Sequence, residues 1–176
     1  MSWRMRKGYI HIYTGNGKGK TTAALGLAIR AAGAGLKVFF AQFVKQGEYS
    51  EIKALARFSD QITVRQFGRG RFINGDPAPE DIQAARTGLE TVRQVMKASD
   101  HDLLILDEAN VAVKLGLLTV SDLIDLMVDK PDEMELVMTG RYASPRVIGM
   151  ADVVTEMKMI KHYYSNGVAA RVGIEK

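Results

Sequence analysis

Residues 13–22 read Tyr13-Thr14-Gly15-Asn16-Gly17-Lys18-Gly19-Lys20-Thr21-Thr22. The phosphate-loop pattern G-x-x-x-x-G-K-[ST] is met in its second half by Gly19-Lys20-Thr21, with Thr14 where the pattern has its first glycine. Residues 9–13, just before the loop, are β-rich, and residues 20–34, just after it, are helix-like and closed by Gly33 and Gly35. A glycine-rich turn between strand and helix presents successive backbone N–H groups as a nest for anionic oxygens. The helix that follows points the positive end of its dipole at the same place. Lys20 then reaches phosphate as a point charge, and Thr21 offers a hydroxyl to Mg²⁺. The plainer alternative is a turn that happens to be rich in glycine and lysine. Against it, Lys18 and Lys20 would repel each other without an anion between them. This reading gives a nucleoside triphosphate site, for ATP with Mg²⁺.

Outward from the loop, strand-like and helix-like segments alternate, the signature of an α/β fold with a mostly parallel sheet and helices on both faces. Residues 37–44 read as a second strand, 48–58 as a helix and 61–67 as a third strand. Residues 68–79 are rich in glycine and proline. Ile82, Ala85, Leu89, Val92 and Met96 then recur at spacings of three and four, which predicts a helix with one apolar face. The run Leu103-Leu104-Ile105-Leu106-Asp107 reads as a central strand covered on both faces. Thr119 is placed to cap a helix with Asp122 facing it. Residues 135–139 form a fifth strand, and Ser144-Pro145 reads as an N-cap followed by proline at the first helical position. Residues 153–160 and 168–174 are expected as late strands.

The chain has 176 residues, 47% of them apolar and 25% charged, as in an ordinary globular domain. One domain over residues 9–176 is expected, after a short N-terminal arm of residues 1–8. With no cysteine, thiolate catalysis and iron–sulfur ligation are excluded. No segment approaches the ~20 apolar residues that span a bilayer, so no membrane partner is expected. The expected location is the cytoplasm. The net charge of +4 suits a polyanionic ligand, and without a block of five basic residues a nucleic-acid partner is not expected.

Asp107-Glu108 end the apolar fourth strand, at the sheet edge where ligands bind in open α/β folds. A carboxylate there suits Mg²⁺, and in an ATP hydrolase a glutamate there activates water. The plain alternative is a pair of solvated loop carboxylates. Arg141 follows the fifth strand at the same edge and is a candidate phosphate contact. Arg30 lies about 15 Å along the first helix from Lys20, by a rise of 1.5 Å per residue. Read alone, it is a surface or packing arginine. Arg65, Arg69 and Arg71 flank a glycine-rich loop and make either a phosphate lid or a solvated loop. His11, His101 and His162 lack metal-ligand spacing and are read as structural.

Beyond these residues, the chain resembles the P-loop, RecA-like corrinoid adenosyltransferases, the ATP:cob(I)alamin enzymes. The resemblance runs over nearly the whole chain after about residue 8. It is carried by the loop of residues 13–26, by Gln42-Phe43-Val44-Lys45, by Leu106-Asp107-Glu108 and by Thr139-Gly140-Arg141. Ala151-Asp152-Val153-Val154-Thr155-Glu156-Met157-Lys158, Lys161-His162 and Gly167-Val168 carry it to the end of the chain. The loop variant with Thr14 in place of glycine belongs to that family.

The resemblance implies transfer of the 5′-deoxyadenosyl group of ATP to the cobalt of a cob(I) corrinoid, with release of inorganic triphosphate. It implies Thr14, Gly15, Asn16, Gly17, Lys18, Gly19, Lys20, Thr21 and Thr22 around the triphosphate, with Arg30 and Arg141 as further ATP contacts. It implies Thr21 and Glu108, with Asp107 beside them, around Mg²⁺ or Mn²⁺, and Lys20, Thr21 and Glu108 as the catalytic group. It further implies a homodimer and a reduced flavoprotein as electron donor. Some members carry Phe-x-Trp after the third strand to displace the lower cobalt ligand. Here the segment is Phe67-Gly68-Arg69-Gly70-Arg71-Phe72, leaving Phe67 or Phe72 as candidates. The single tryptophan, Trp3, lies in the arm, which in this family can fold over the site as a lid. A small-molecule kinase or ATPase would use the same phosphate loop and is the alternative.

Overall fold

The computed structural model describes residues 7–71, 73 and 75–175. Six parallel strands form one sheet: β1 (Ile10–Thr14), β2 (Val38–Val44), β3 (Ile62–Gly68), β4 (Leu103–Asp107), β5 (Glu135–Thr139) and β6 (Val153–Glu156). Their spatial order is β3-β2-β4-β5-β1-β6. The helices are α1 (Lys20–Gly33), α2 (Ser50–Leu55), α3 (Pro79–Ala98), α4 (Ala109–Lys114), α5 (Val120–Asp129) and α6 (Pro145–Met150).

Strand side chains alternate between two cores, as a pleated sheet requires. Phe39, Ala41 and Phe43 of β2 and Leu104 and Leu106 of β4 meet the apolar faces of α3, α4, α5 and α6. Val38, Phe40, Leu103, Ile105 and Val137 meet α1 and α2 through Ala24, Ala28, Ala31 and Leu55. Small alanines on α1 bring that helix close to the sheet. The central strands β2, β4 and β5 are buried on both faces, so they read as continuous apolar runs.

The parallel order gathers every strand's C-terminal end at one edge. The loops after β1, β2, β4 and β5 therefore converge there. The chain enters at the opposite edge, where Gly8 N–H donates to Asp132 O at 2.6 Å, just ahead of β5. Residues 1–6 of the expected arm, Trp3 among them, lie outside the described residues, as does Phe72.

Several expected elements are corrected in detail. The second helix ends at Leu55 and continues as a short 3-10 turn, Ala56–Phe58. A short helix, α4, follows β4 where none was expected. The last strand is only Val153–Glu156, and residues 168–174, expected as a strand, form none. That stretch has β-branched residues, yet Val172 and Ile174 are exposed. β-propensity reports fit to a half-buried pleated surface, and no such surface is offered here. The two predicted caps do form: Asp122 N–H donates to Thr119 Oγ1 at 3.1 Å, and Arg146 N–H to Ser144 Oγ at 3.3 Å.

Candidate functional site

The loop between β1 and α1 sits where the C-terminal edge is most crowded. Gly19 is the N-cap of α1 with φ of 118°, a left-handed conformation that a side chain would oppose. Among the described residues no side chain caps this helix and its first turn holds no acid, so its first N–H groups face outward for an anion. The loop is braced from behind by the segment after β6. Gly17 N–H donates to Met157 O at 2.6 Å, Met157 N–H to Thr14 O at 2.9 Å, and Met159 N–H to Asn16 Oδ1 at 3.0 Å. Lys20 is buried and folds back over the loop, donating to Gly15 O at 2.8 Å and Gly17 O at 2.7 Å.

Asp107, fully buried at the end of β4, is the hub of a polar network beside the loop. Its Oδ1 accepts from Thr21 Oγ1 at 2.9 Å and from Thr139 Oγ1 at 2.7 Å. Its Oδ2 accepts from Gln42 Nε2 and Lys45 Nζ, both at 3.2 Å. Because β5 lies between β1 and β4, Thr139 can bond Asp107 and also accept the Glu108 N–H at 3.0 Å. Gly140, at φ of 128°, turns the chain sharply; a side chain there would meet Val111 N at 3.0 Å. The turn delivers Arg141 to the site.

Beside this buried network lies a cavity of about 630 Å³, within the usual range of about 300–1,000 Å³ for small-molecule sites. Gly17, Lys18, Gly19, Lys20, Thr21 and Thr22 line it, together with Lys45, Glu108 and Arg141. Thr14, Gly15 and Asn16 instead line a second cleft of about 500 Å³, which they share with Arg141. Thr14 can stand where the pattern has glycine because it closes β1, paired in register with Glu156. Arg30 is exposed in the last turn of α1 and is not among the residues lining either space.

The electrostatics favour an anionic guest. Burial, and then the Arg141 guanidinium, hold the Lys20 ammonium below the usual lysine range, against the pull of Glu108 and Asp107. Burial and the Asp107 charge push the Glu108 carboxyl up, against Lys45, Lys20 and Arg141. Burial would lower Lys45, but Asp107 and Glu108 outweigh it and raise it. An anion among Lys18, Lys20, Lys45 and Arg141 would relieve their mutual repulsion. Thr21, Asp107 and Glu108 supply the hard oxygen donors a divalent cation needs. Among the described residues no group of three or more His, Cys, Asp or Glu is gathered at one place, so a cation here would rest on two carboxylates and a hydroxyl.

Sequence reasoning gave Lys45, Gln42 and Thr139 no role. A signal was present, since Gln42 interrupts an otherwise apolar strand. His162, read as structural, lines the cavity, together with Gly173, Ile174 and Glu175 of the C-terminal segment. Arg69 and Arg71, read as a phosphate lid or a solvated loop, pair with Glu80 and Asp81 at the start of α3 and are not among the residues lining the cavity. Phe67 is partly buried and packs on Phe43, with ring centroids 5.8 Å apart. No helix among the described residues is long and apolar enough to cross a membrane.

A family profile described as ATP:corrinoid adenosyltransferase BtuR/CobO/CobP matches residues 6–175. The chain is 34% identical to a corrinoid adenosyltransferase of Pseudomonas aeruginosa over 173 residues, 98% of this chain and 85% of that one. It is 30% identical to a corrinoid adenosyltransferase of Escherichia coli K12 over 169 residues, covering 96% of this chain and 86% of that one. A corrinoid adenosyltransferase of Salmonella typhimurium, CobA, is 29% identical with the same coverage.

Proposed function

The chain belongs to the ATP:corrinoid adenosyltransferase family, and from that premise we propose that it transfers the 5′-deoxyadenosyl group of ATP to the cobalt of a reduced cob(I) corrinoid. In this reaction the cobalt electron pair forms the bond to C5′ while the C5′–oxygen bond breaks, and inorganic triphosphate departs. The observation that carries the reading is the phosphate loop with Lys20 and Thr21 opening, beside Asp107 and Glu108, onto one cavity.

A cob(I) corrinoid is itself a strong nucleophile, so no side chain has to remove a proton. The protein's work is to hold C5′ in line and to stabilise the leaving group. Lys18, Lys20, Arg141 and the first N–H groups of α1 hold the triphosphate and meet the charge it gains as it departs. Asp107, fixed by Thr139 and Gln42, orients Thr21 and with Glu108 completes a set of oxygen donors. Those residues fit Mg²⁺ or Mn²⁺, since two carboxylates and a hydroxyl already converge on one cation, the Lys45 ammonium. A divalent cation there would supply charge neutralisation to the leaving triphosphate. Arg30 enters this proposal only as an outlying ATP contact, given its exposed place on α1. A homodimer, a cytoplasmic location and a reduced flavoprotein as donor belong to the same reading.

The test is an anaerobic assay with Mg·ATP and chemically reduced cob(I)alamin. Adenosylcobalamin and triphosphate in equal amounts are expected. Orthophosphate or a phosphorylated acceptor, with no alkylated corrinoid, would overturn the reading in favour of a kinase or ATPase.

A further inference from the structure

The segment Gln42-Phe43-Val44-Lys45 leaves β2 through a strained turn. Val44 has φ of 68°, a left-handed conformation that a β-branched residue rarely adopts. The turn is pinned on both sides: Lys45 N–H donates to Phe43 O at 2.7 Å, and Gly68 N–H donates to Lys45 O at 3.1 Å. Strain of this kind persists where the surroundings enforce it, and it marks places where a side chain must be aimed. Here it aims Lys45 inward, with only 24% of its side chain exposed.

Its ammonium lies at the meeting point of the oxygen donors. Lys45 Nζ is 3.2 Å from Asp107 Oδ2, 3.5 Å from Thr21 Oγ1 and 3.9 Å from Glu108 Oε1. These are the side chains assigned above to the divalent cation. A monovalent and a divalent cation cannot share that spot without strong repulsion at low local dielectric. Nor can Asp107 be left alone, since a buried unpaired carboxylate is costly. Lys45 has somewhere to go. It lines the cavity beside Lys20 and Arg141, and its Nζ is 6.0 Å from the centroid of the Tyr49 ring.

We propose that Lys45 is a positioning residue: its ammonium holds Thr21, Asp107 and Glu108 together while no divalent cation is bound, and moves toward the triphosphate when cation and ATP arrive together. This rests on the assignment of those three residues to the cation. Without nucleotide the cation must displace an ammonium that has no better partner, so it binds weakly. With ATP bound, the ammonium gains phosphate oxygens and gives up its place. Lys45 thereby makes cation binding conditional on nucleotide.

The test titrates Mn²⁺ into the full-length, nucleotide-free protein, reading free Mn²⁺ by electron paramagnetic resonance. Lys45→Met should bind Mn²⁺ at least about tenfold more tightly than the unmodified protein, because a like charge has been removed from the site. Its melting temperature should fall in EDTA and recover with Mn²⁺ by more than the unmodified protein gains, a response that a merely structural lysine would not give. Lys45→Gln, which keeps a donor for Asp107, should shift Mn²⁺ affinity the same way and serves if Lys45→Met does not fold. Affinity equal to or weaker than that of the unmodified protein in the folded variants overturns the proposal. Asp107→Asn separates the two levels. If it weakens Mn²⁺ binding while the Lys45 variants do not tighten it, only the role of Lys45 falls. If it leaves Mn²⁺ binding unchanged, the cation assignment falls and the Lys45 role with it.

Discussion

Two regions grip the phosphate loop, and they are built on opposite principles. In front of it stands the sheet edge made by β1, β4 and β5, where Asp107 is wholly buried and bonded by Thr21, Thr139, Gln42 and Lys45. Behind and above it runs the stretch after β6, residues 157–175, exposed along most of its length and held by scattered contacts. The first region owes its shape to burial: polar groups inside a low-dielectric core must be paired, so their geometry is over-determined. The second owes its shape to what it touches. Met157 braces the loop, and Lys18 Nζ donates to Ile174 O at 2.9 Å and to Glu175 Oε1 at 3.2 Å. Precision for chemistry is thus expected in the first region and adjustability in the second.

The largest expected effect tests the first half of that contrast. Lys20→Ala should lower kcat/KM by at least about a hundredfold, the scale seen when one donor to developing transition-state charge is removed. The anaerobic assay checks it, with the melting temperature showing that the fold survives. A loss of under about threefold would mean that the loop's own N–H groups suffice and that Lys20 serves only to staple Gly15 O and Gly17 O.

The two regions also differ in how far the sequence discloses them. Residues 103–107 and 135–139 are short apolar runs bounded by polar residues, and they form strands with those bounds. The loop at Gly19-Lys20-Thr21 stands between strand and helix as its glycines and lysines require. Such local signals agree with the burial that the fold later imposes. What Asp107 bonds is a matter of strand order, and an inserted β5 that brings Thr139 to it cannot be read from local pattern. Lys45 is aimed by an unusual backbone angle at Val44, which no propensity announces. In the C-terminal stretch the local signal misleads, since Val168, Val172 and Ile174 favour strand but find no partner strand, and the chain folds instead into short turns over the loop.

A smaller effect is expected from Thr139→Val, which keeps shape and removes one hydroxyl. Asp107 and the Glu108 N–H would each lose a buried partner, at a cost of about 1–3 kcal/mol of stability. Urea unfolding at neutral pH checks it. If stability were unchanged, the network around Asp107 would be adjustable too, and the contrast between the two regions would fail at its firmer side.

The smallest effect belongs to Glu175. Its carboxyl is held far below the usual carboxylate range by Arg171 first, then by Tyr163 and the Arg171 N–H, with Lys18 contributing less, while burial pushes the other way. A depressed carboxylate keeps its ionic contacts above its unfolded value, about 4.3 for a glutamate, and loses them only as pH falls through the folded value. The tail contact is therefore intact throughout the neutral range. On the proposed function, a phosphate would have to compete with Glu175 for Lys18, one anion against another for the same ammonium. Glu175→Gln should lower the KM for ATP by about two- to threefold, the modest scale of an exposed ion pair. The change should be the same at pH 6.5 and pH 8.5, because Glu175 is charged at both, and it should shrink in high salt as screening weakens the pair. A rise in KM would reverse the sense of the contact. The tail would then help to seat the nucleotide, and its loose construction would be part of the binding site in its own right.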